Sequence, residues 1–503
     1  VVVHIPLVLN AAVHLDSDLA VDGLTLLEAV HGHGRWHYPG TPSMGSIPVL
    51  LSWPQAAVWG ANPITLVSGG TVAYGLLTIA VFLLAWRGFG PGVASWSLIP
   101  LAFASTGTLW LSGRITGGHV LTAAWHAGAF ALLYQALAHG GARWSAGLGF
   151  VCGLGVYLDA MFVITLLGLV PAGIVAWWLS GPTRRGLACG VIAVLAFVVG
   201  AAPRELGRRL EPHDAYREQF RPMIQPDVLL SHIDLLLNQC VPRLIVGHRA
   251  PGLQTDPDPR ALAGPAPINP TPDDSPGAAA VFGVGLSLFG IAMAALVPIR
   301  QPSVAARAVC CGLLVSALAV AAGFVLSWNI YNSDNYRYLV TFLVPWALGF
   351  GVTMQGLARR GKGGVAAAWL CSLVLAALMT YDTARWYARF GWIDNQGRPV
   401  RVAVVDPALE WLDAHREVTA VTGNYWDVYR LAFLTGGRVR GTPLPVFPDR
   451  FPEWTRGFPK SHARVLLMRA TREGLSSLRW RELAADGRLL YFARGIAIVS
   501  VPE

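Results

Sequence analysis

The sequence predicts a polytopic α-helical membrane protein with a C-terminal α/β domain outside the membrane. Three observations carry this. Of 503 residues, 54% are hydrophobic and 13% charged, with a mean hydropathy of +0.48, whereas ordinary soluble domains carry about a quarter charged residues. Eleven apolar runs are long enough to cross, or nearly cross, a bilayer. The last segment instead alternates short helical and β-type patterns. This composition excludes a disordered or nucleic-acid-binding chain as the main reading, so no nucleic-acid partner is expected and the net charge of +9 is a topology signal.

The runs fall at about 1–15, 64–86, 92–111, 118–138, 144–158, 160–180, 187–203, 279–298, 304–328, 338–357 and 364–381. The stretch 144–180 reads as one bent helix or as two short spans, and charge decides. With the first span ending outside, the inner loops hold Arg87, Arg143, Arg184, Arg185, Arg300, Arg307, Arg359, Arg360 and Lys362, and the short outer loops only Arg35, Arg114 and Arg337. Nine against three obeys the positive-inside rule only if 144–180 is two spans meeting at Asp159. The first run, 1–13, would rise only about 20 Å as a helix against a hydrocarbon core of about 30 Å, so the cytoplasmic start of that span is expected to be missing. Only Lys362 and Lys460 are lysines among 38 basic residues, a bias expected of a GC-rich bacterial genome. Of six cysteines, only Cys240 lies in a polar loop, which implies no disulfide framework.

The expected organisation is a membrane domain over 1–382, with outer loops 16–63 and 204–278, and an extracytoplasmic domain over 383–503. In the first loop Leu19, Gly23, Leu26, Leu27 and Val30 recur at helical spacing, predicting an amphipathic helix in the membrane surface. The second loop carries an amphipathic stretch over 228–237 and a run over 251–276 with eight prolines, expected to be extended. In the tail, helices are expected over 407–415 and 425–434 and strands over 400–405, 418–422, 463–468 and 496–501.

The first loop opens with three carboxylates, Asp16, Asp18 and Asp22, where a span leaves the bilayer. A carboxylate there can reach the phosphate–sugar bond of a lipid-linked donor. One would act as general base on an acceptor hydroxyl, and a second would orient the acceptor or hold a cation. The alternative is that Asp18 is a helix N-cap and Asp16 and Asp22 are solvated.

The string Asp16-Ser17-Asp18-x-Ala20-x-x-Gly23-Leu24, followed by Met44-Gly45-Ser46, resembles the first outer loop of bacterial membrane glycosyltransferases of the glycosyltransferase family 39 / aminoarabinose-transferase-like group, with the GT-C fold. So do Gly113-Arg114-Ile115-Thr116-Gly117-Gly118-His119, Asn335-Tyr336-Arg337-Tyr338-Leu339, and 424–438 in the tail, from Asn424-Tyr425-Trp426-Asp427 to Gly436-Gly437-Arg438. Leu19 stands where that group often has Glu, and Asp22, one helical turn on, is the acid that would substitute. The resemblance implies transfer of a hexose or pentose from a polyprenyl-phosphate donor to a lipid, glycan or protein acceptor on the outer face of a bacterial inner membrane. It implies Asp16 as base and Asp18 as a second carboxylate for acceptor or metal. Metal use varies across the fold, so a divalent cation stays open.

A departing lipid phosphate needs a planar bidentate donor near the membrane surface. Arg337 and Arg114 are the outer-loop candidates, supported by Asp334, Asn335 and Tyr338; otherwise Arg337 snorkels to headgroups and Arg114 neutralises a nearby Asp. Asp159 is either a loop residue or a wall of the sugar cavity. The His31, His33 and His37 cluster reads as an interfacial loop before a metal site, since the glycines between leave it floppy. Trp36, Tyr38, Trp53 and Trp59 read as interfacial aromatics. Tyr425, Trp426, Asp427, Tyr429 and Arg430 either touch an acceptor or pack on the tail's own sheet. The rival readings are a transporter or flippase of lipid-linked sugars and a non-catalytic scaffold. Transporters place polar residues near the midplane, whereas here they collect at one face.

Overall fold

In lipid every backbone N–H and C=O must find a partner within its own segment, so long apolar runs become helices. The computed structural model describes residues 2–181, 183–215, 222–247, 276–297, 303–330, 332–404, 406–445, 447–456, 464–469, 489–493 and 496–500. Among them, eight helices are long and apolar enough to cross a membrane: Pro63–Phe89, His119–His139, Ala160–Leu179, Arg184–Leu210, Pro226–Ile245, Val304–Leu326, Asp334–Ala358 and Lys362–Arg389. The chain is a multi-pass membrane protein.

The other apolar runs are helical too, but shorter or broken. Run 1–15 holds the 3-10 turn Val2–His4 and the short helix Ile5–Leu9. Run 92–111 is split into Pro91–Ser97, Ile99–Ala102 and Thr106–Ser112, with Pro100 opening the second piece and the Ser105 side chain capping the third. The stretch 144–180 is two helices, Ala142–Leu158 and Val163–Leu179, joined by a turn that Asp159 caps. The last span runs on to Arg389, so the boundary expected at 382–383 falls inside a helix.

Pro226–Ile245 contains the amphipathic stretch expected over 228–237. Both its ends are tied to one end of the bundle. Met223 N–H donates to Leu326 O at 2.9 Å, where one span stops, and Arg243 Nη1 lies 3.0 Å from Asp334 Oδ1, where the next begins. The helix therefore lies along that end without crossing. The proline-rich run falls outside the described residues up to 275.

At the same end the first loop forms the surface helix Ser17–Val30 and a hairpin of strands β1 (His37–Tyr38) and β2 (Thr41–Gly45). The tail sits on both. Its sheet contains β3 (Ala420–Gly423), β4 (Arg440–Pro443), β5 (Arg464–Arg469), β6 (Leu489–Ala493) and β7 (Ile496–Ser500) in the order β4-β3-β5-β7-β6, parallel on either side of β3 and antiparallel beyond β5. Helices Pro407–Ala414 and Tyr425–Leu434 form where expected.

Two expectations fail here. Residues 400–404 form no strand, because Asn10 takes up their backbone: it donates to Val400 O at 2.8 Å and accepts from Val402 N–H at 2.7 Å. The apolar face of the surface helix, expected against lipid, is covered by the tail. Leu19 and Leu26 are fully buried, and Gly23 meets the Phe433 ring so closely that an added Cβ would lie 2.6 Å from it. Burying each leucine contributes about 1.5–3 kcal/mol. Of the expected interfacial aromatics, Trp36, Trp53 and Trp59 are exposed, the last two on the helix Trp53–Trp59, whereas Tyr38 is buried.

Candidate active site

The site is built where the surface helix begins. Asp16 has extended backbone angles, φ −104° and ψ 179°, and its Oδ1 accepts from Leu19 N–H at 2.9 Å. Asp16 is therefore the N-cap, a role expected of Asp18, because the helix starts at Ser17. Its Oδ2 is ion-paired with Arg114 Nη2. Arg114 stacks on Trp110, with 5.4 Å from guanidinium carbon to ring centre. Burial works against its charge, but the Asp16 carboxylate beside it holds the guanidinium pKa above its ordinary value.

Just beyond Arg114 the chain must turn sharply into the helix His119–His139. Gly117 and Gly118 supply this with φ of +69° and +62°, which L side chains rarely adopt. The turn delivers His119 to the first helical position. Its Nδ1 lies 3.9 Å from Asp159 Oδ2, and its ring stands edge-on to Tyr338 with 5.6 Å between centres.

Asp159 is held from two sides. Its Oδ1 accepts from Met161 N–H at 2.9 Å, and its backbone bridges antiparallel to Met44 at the end of the first-loop hairpin. Its Oδ2 accepts from Thr122 at 3.5 Å, the edge of hydrogen-bonding distance. Burial pushes the Asp159 carboxyl up to about 6.

Two cavities open here. One is lined by His119, Thr122, His126, Asp159, Arg337 and Tyr338 among others, and a second by Leu111, Arg114, His119 and Arg337. His119 and Arg337 are common to both and form the wall between them. Arg337 Nη2 donates to Tyr338 Oη at 3.3 Å, and its guanidinium lies 5.2 Å from that ring's centre.

The structure thus brings together Asp16, Arg114, Arg337, Tyr338 and Asp159. It takes the other candidates elsewhere. Asp18 turns to the tail, where Tyr425 Oη donates to its Oδ1 at 2.5 Å and Arg450 Nη2 lies 3.8 Å away. Asp22 is buried within the surface helix, and Asp334 faces Arg243. In the tail helix Asp427 accepts from Arg469, Arg430 pairs with Asp406, and Tyr429 donates to Asp449 at 3.1 Å, so these three pack inside the tail and only Tyr425 reaches the loop carboxylates. Arg35 pairs with Glu28 and Glu453, and His37 is buried; among the described residues no three His, Cys, Asp or Glu side chains form a group that could hold a metal ion. Sequence reasoning gave no role to His119, Thr122 or His126. The paired glycines before His119 were the available signal.

No family profile matches the sequence, and no curated protein matches it by sequence. Solved structures do match. ArnT from Cupriavidus metallidurans superposes in its apo state with a TM-score of 0.63 at 12% identity, covering 99% of this chain and 95% of that one. The same protein bound to undecaprenyl phosphate gives 0.60 at 12%, over 99% and 96%. The archaeal oligosaccharyltransferase AglB from Archaeoglobus fulgidus, in complex with an inhibitory peptide and a dolichol-phosphate, gives 0.52 at 13%, over 91% and 66%. The chain has the GT-C fold.

Proposed function

We propose that this protein is a glycosyltransferase that moves a hexose or pentose from a polyprenyl-phosphate donor to a lipid, glycan or protein acceptor at the outer face of a bacterial inner membrane. The observation that carries the reading is the ion pair of Asp16 with Arg114, whose side chain lines a cavity together with Arg337 and His119. Structures of the same fold include one bound to undecaprenyl phosphate and one in complex with a dolichol-phosphate.

In this mechanism Asp16 takes the proton of the acceptor hydroxyl as its oxygen bonds to the sugar anomeric carbon. The bond from that carbon to the phosphate oxygen breaks, and the electron pair leaves on the lipid phosphate. Arg337 holds that phosphate through its planar fork, with Tyr338 fixing the guanidinium. Arg114 faces both partners. A phosphate in the cavity competes with Asp16 for the Arg114 guanidinium and frees the carboxylate to accept a proton. Asp159 and His119 line the sugar side, whereas Asp22 and Asp334 lie away from it. Asp18, bound by Tyr425, holds the loop and not the acceptor or a metal.

Sugar transfer from polyprenyl-phosphate donor in membranes tests this. Asn caps a helix about as well as Asp, so Asp16→Asn keeps the surface helix while removing the base and its ion pair with Arg114, with an expected loss of about 10²–10⁴ in rate. Arg337→Lys should weaken donor use at normal membrane insertion, because a point ammonium cannot reproduce the fork. Wild-type rates in both variants would remove Asp16 and Arg337 from the site, and no transfer by the unsubstituted protein would leave a transporter as the better reading. A reporter active only in the periplasm, fused after Glu503, should give signal if the tail is external.

A further inference from the structure

We infer that Tyr425 and Arg450 of the tail are positioning residues for the transfer site: they fix the turn 16–18, and with it the base Asp16, in register with Arg114. The inference rests on the proposed role of Asp16 and adds to it that the site is incomplete without the tail.

Asp16 has two direct restraints, its capping bond to Leu19 N–H and its ion pair with Arg114. The next two residues are both held by the tail. Ser17 Oγ donates to Tyr425 O at 2.6 Å, and Tyr425 Oη donates to Asp18 Oδ1 at 2.5 Å. Arg450 backs this arrangement. Its Nε donates to Tyr425 Oη at 3.2 Å, and its Nη1 donates to Thr41 Oγ1 at 2.6 Å and to Pro39 O at 3.2 Å. Its guanidinium also lies 5.0 Å from the centre of the Tyr38 ring, whose hydroxyl donates to Asp18 O at 2.9 Å.

The direction of these bonds is forced. A guanidinium can only donate, so the Tyr425 oxygen accepts from Arg450 and spends its one proton on Asp18. Arg450 is 6% exposed, so the relay works away from bulk water, where a hydrogen bond to a charged group is strongest. One tail arginine thereby clamps the hairpin, the phenol and the carboxylate two residues from the base. The pair Arg35–Glu453 also joins loop to tail but touches none of residues 16–18.

The experiment uses the full-length protein with Tyr425→Phe, Arg450→Lys and, as control, Arg35→Gln. Purified variants are compared by backbone hydrogen exchange over 16–20 and by kcat and donor KM. Tyr425→Phe and Arg450→Lys should speed exchange over 16–20 about tenfold, with 119–139 unchanged, and lower kcat about tenfold or more at nearly constant donor KM. Arg35→Gln should change neither. Unchanged exchange over 16–20 overturns the inference, as does faster exchange with wild-type kcat, because the tail would then be a structural fastening alone. If the unsubstituted protein transfers no sugar from a polyprenyl-phosphate donor, the functional reading fails, and hydrogen exchange still decides whether the tail holds the turn.

Discussion

The protein has two hydrophobic cores that are put together in different ways. The bundle core packs long helices side by side, some near in the chain, such as Ala142–Leu158 with Arg184–Leu210, and some distant, such as Val163–Leu179 with Val304–Leu326. The outer core joins Leu19, Leu24 and Leu26 of the first loop to Val428, Phe433 and Val465 of the tail. In the bundle a lipid-facing side chain has almost as apolar a neighbourhood outside as inside, so packing there tolerates change. In the outer core every buried group has water as its alternative, and the buried charges must be matched. Stability and site geometry therefore depend most on the smaller core.

The largest effect is expected where that core buries charge. Arg430, fully buried, pairs with Asp406, which Arg469 also approaches at 3.5 Å, while Arg469 Nε lies 2.6 Å from Asp427 Oδ1. Arg430→Met leaves Asp406 short of a partner and should destabilise the tail by about 3–5 kcal/mol, read as a lower melting temperature in detergent. Burial pushes the Asp406 carboxyl up, but Arg430 and Arg469 outweigh it and hold it below the ordinary carboxylate range. With the folded value depressed, this stabilisation is present above the unfolded pKa of about 4 and lost as pH falls through the folded value. Melting should therefore drop in acid for the parent and much less for Arg430→Met.

A smaller effect is expected at the seam between loop and tail. Gly23→Leu has to push Phe433 aside and should cost about 1–3 kcal/mol, whereas Val194→Ala, on the lipid-facing side of Arg184–Leu210 where 6% of the apolar window is buried, should stay within about 0.5 kcal/mol. Thermal unfolding of the two variants side by side measures the contrast. Equal losses would mean that the two cores are equally tight.

The same contrast explains what could be read from the sequence. Bundle helices announce themselves through contiguous apolar runs, and Asp16 through its place at the end of one. Asp18 reads locally as a cap or as a second carboxylate for acceptor or metal because its partner, Tyr425, lies 407 residues away. The surface helix has a real apolar stripe, but periodicity cannot say whether lipid or protein covers it. Leu19, at the position where the resembling group often has Glu, is part of that stripe and fully buried. Strand β4, Arg-Gly-Thr-Pro, is short and carries no alternation, and β6 is recognised only beside β7. Asn10 lies in the first apolar run, and nothing local marks it as the residue that straightens 400–404.

The separation between Asp18 and Tyr425 also sets an order of biosynthesis. At about 5–20 residues per second, a ribosome needs roughly 20–80 s to make the chain between them. All eight long apolar helices are synthesised within or before that interval, yet the turn bearing Asp16 has no tail to hold it. A nascent chain thus carries these helices before the turn at 16–18 is fixed, and the later-made tail supplies the bonds that hold it.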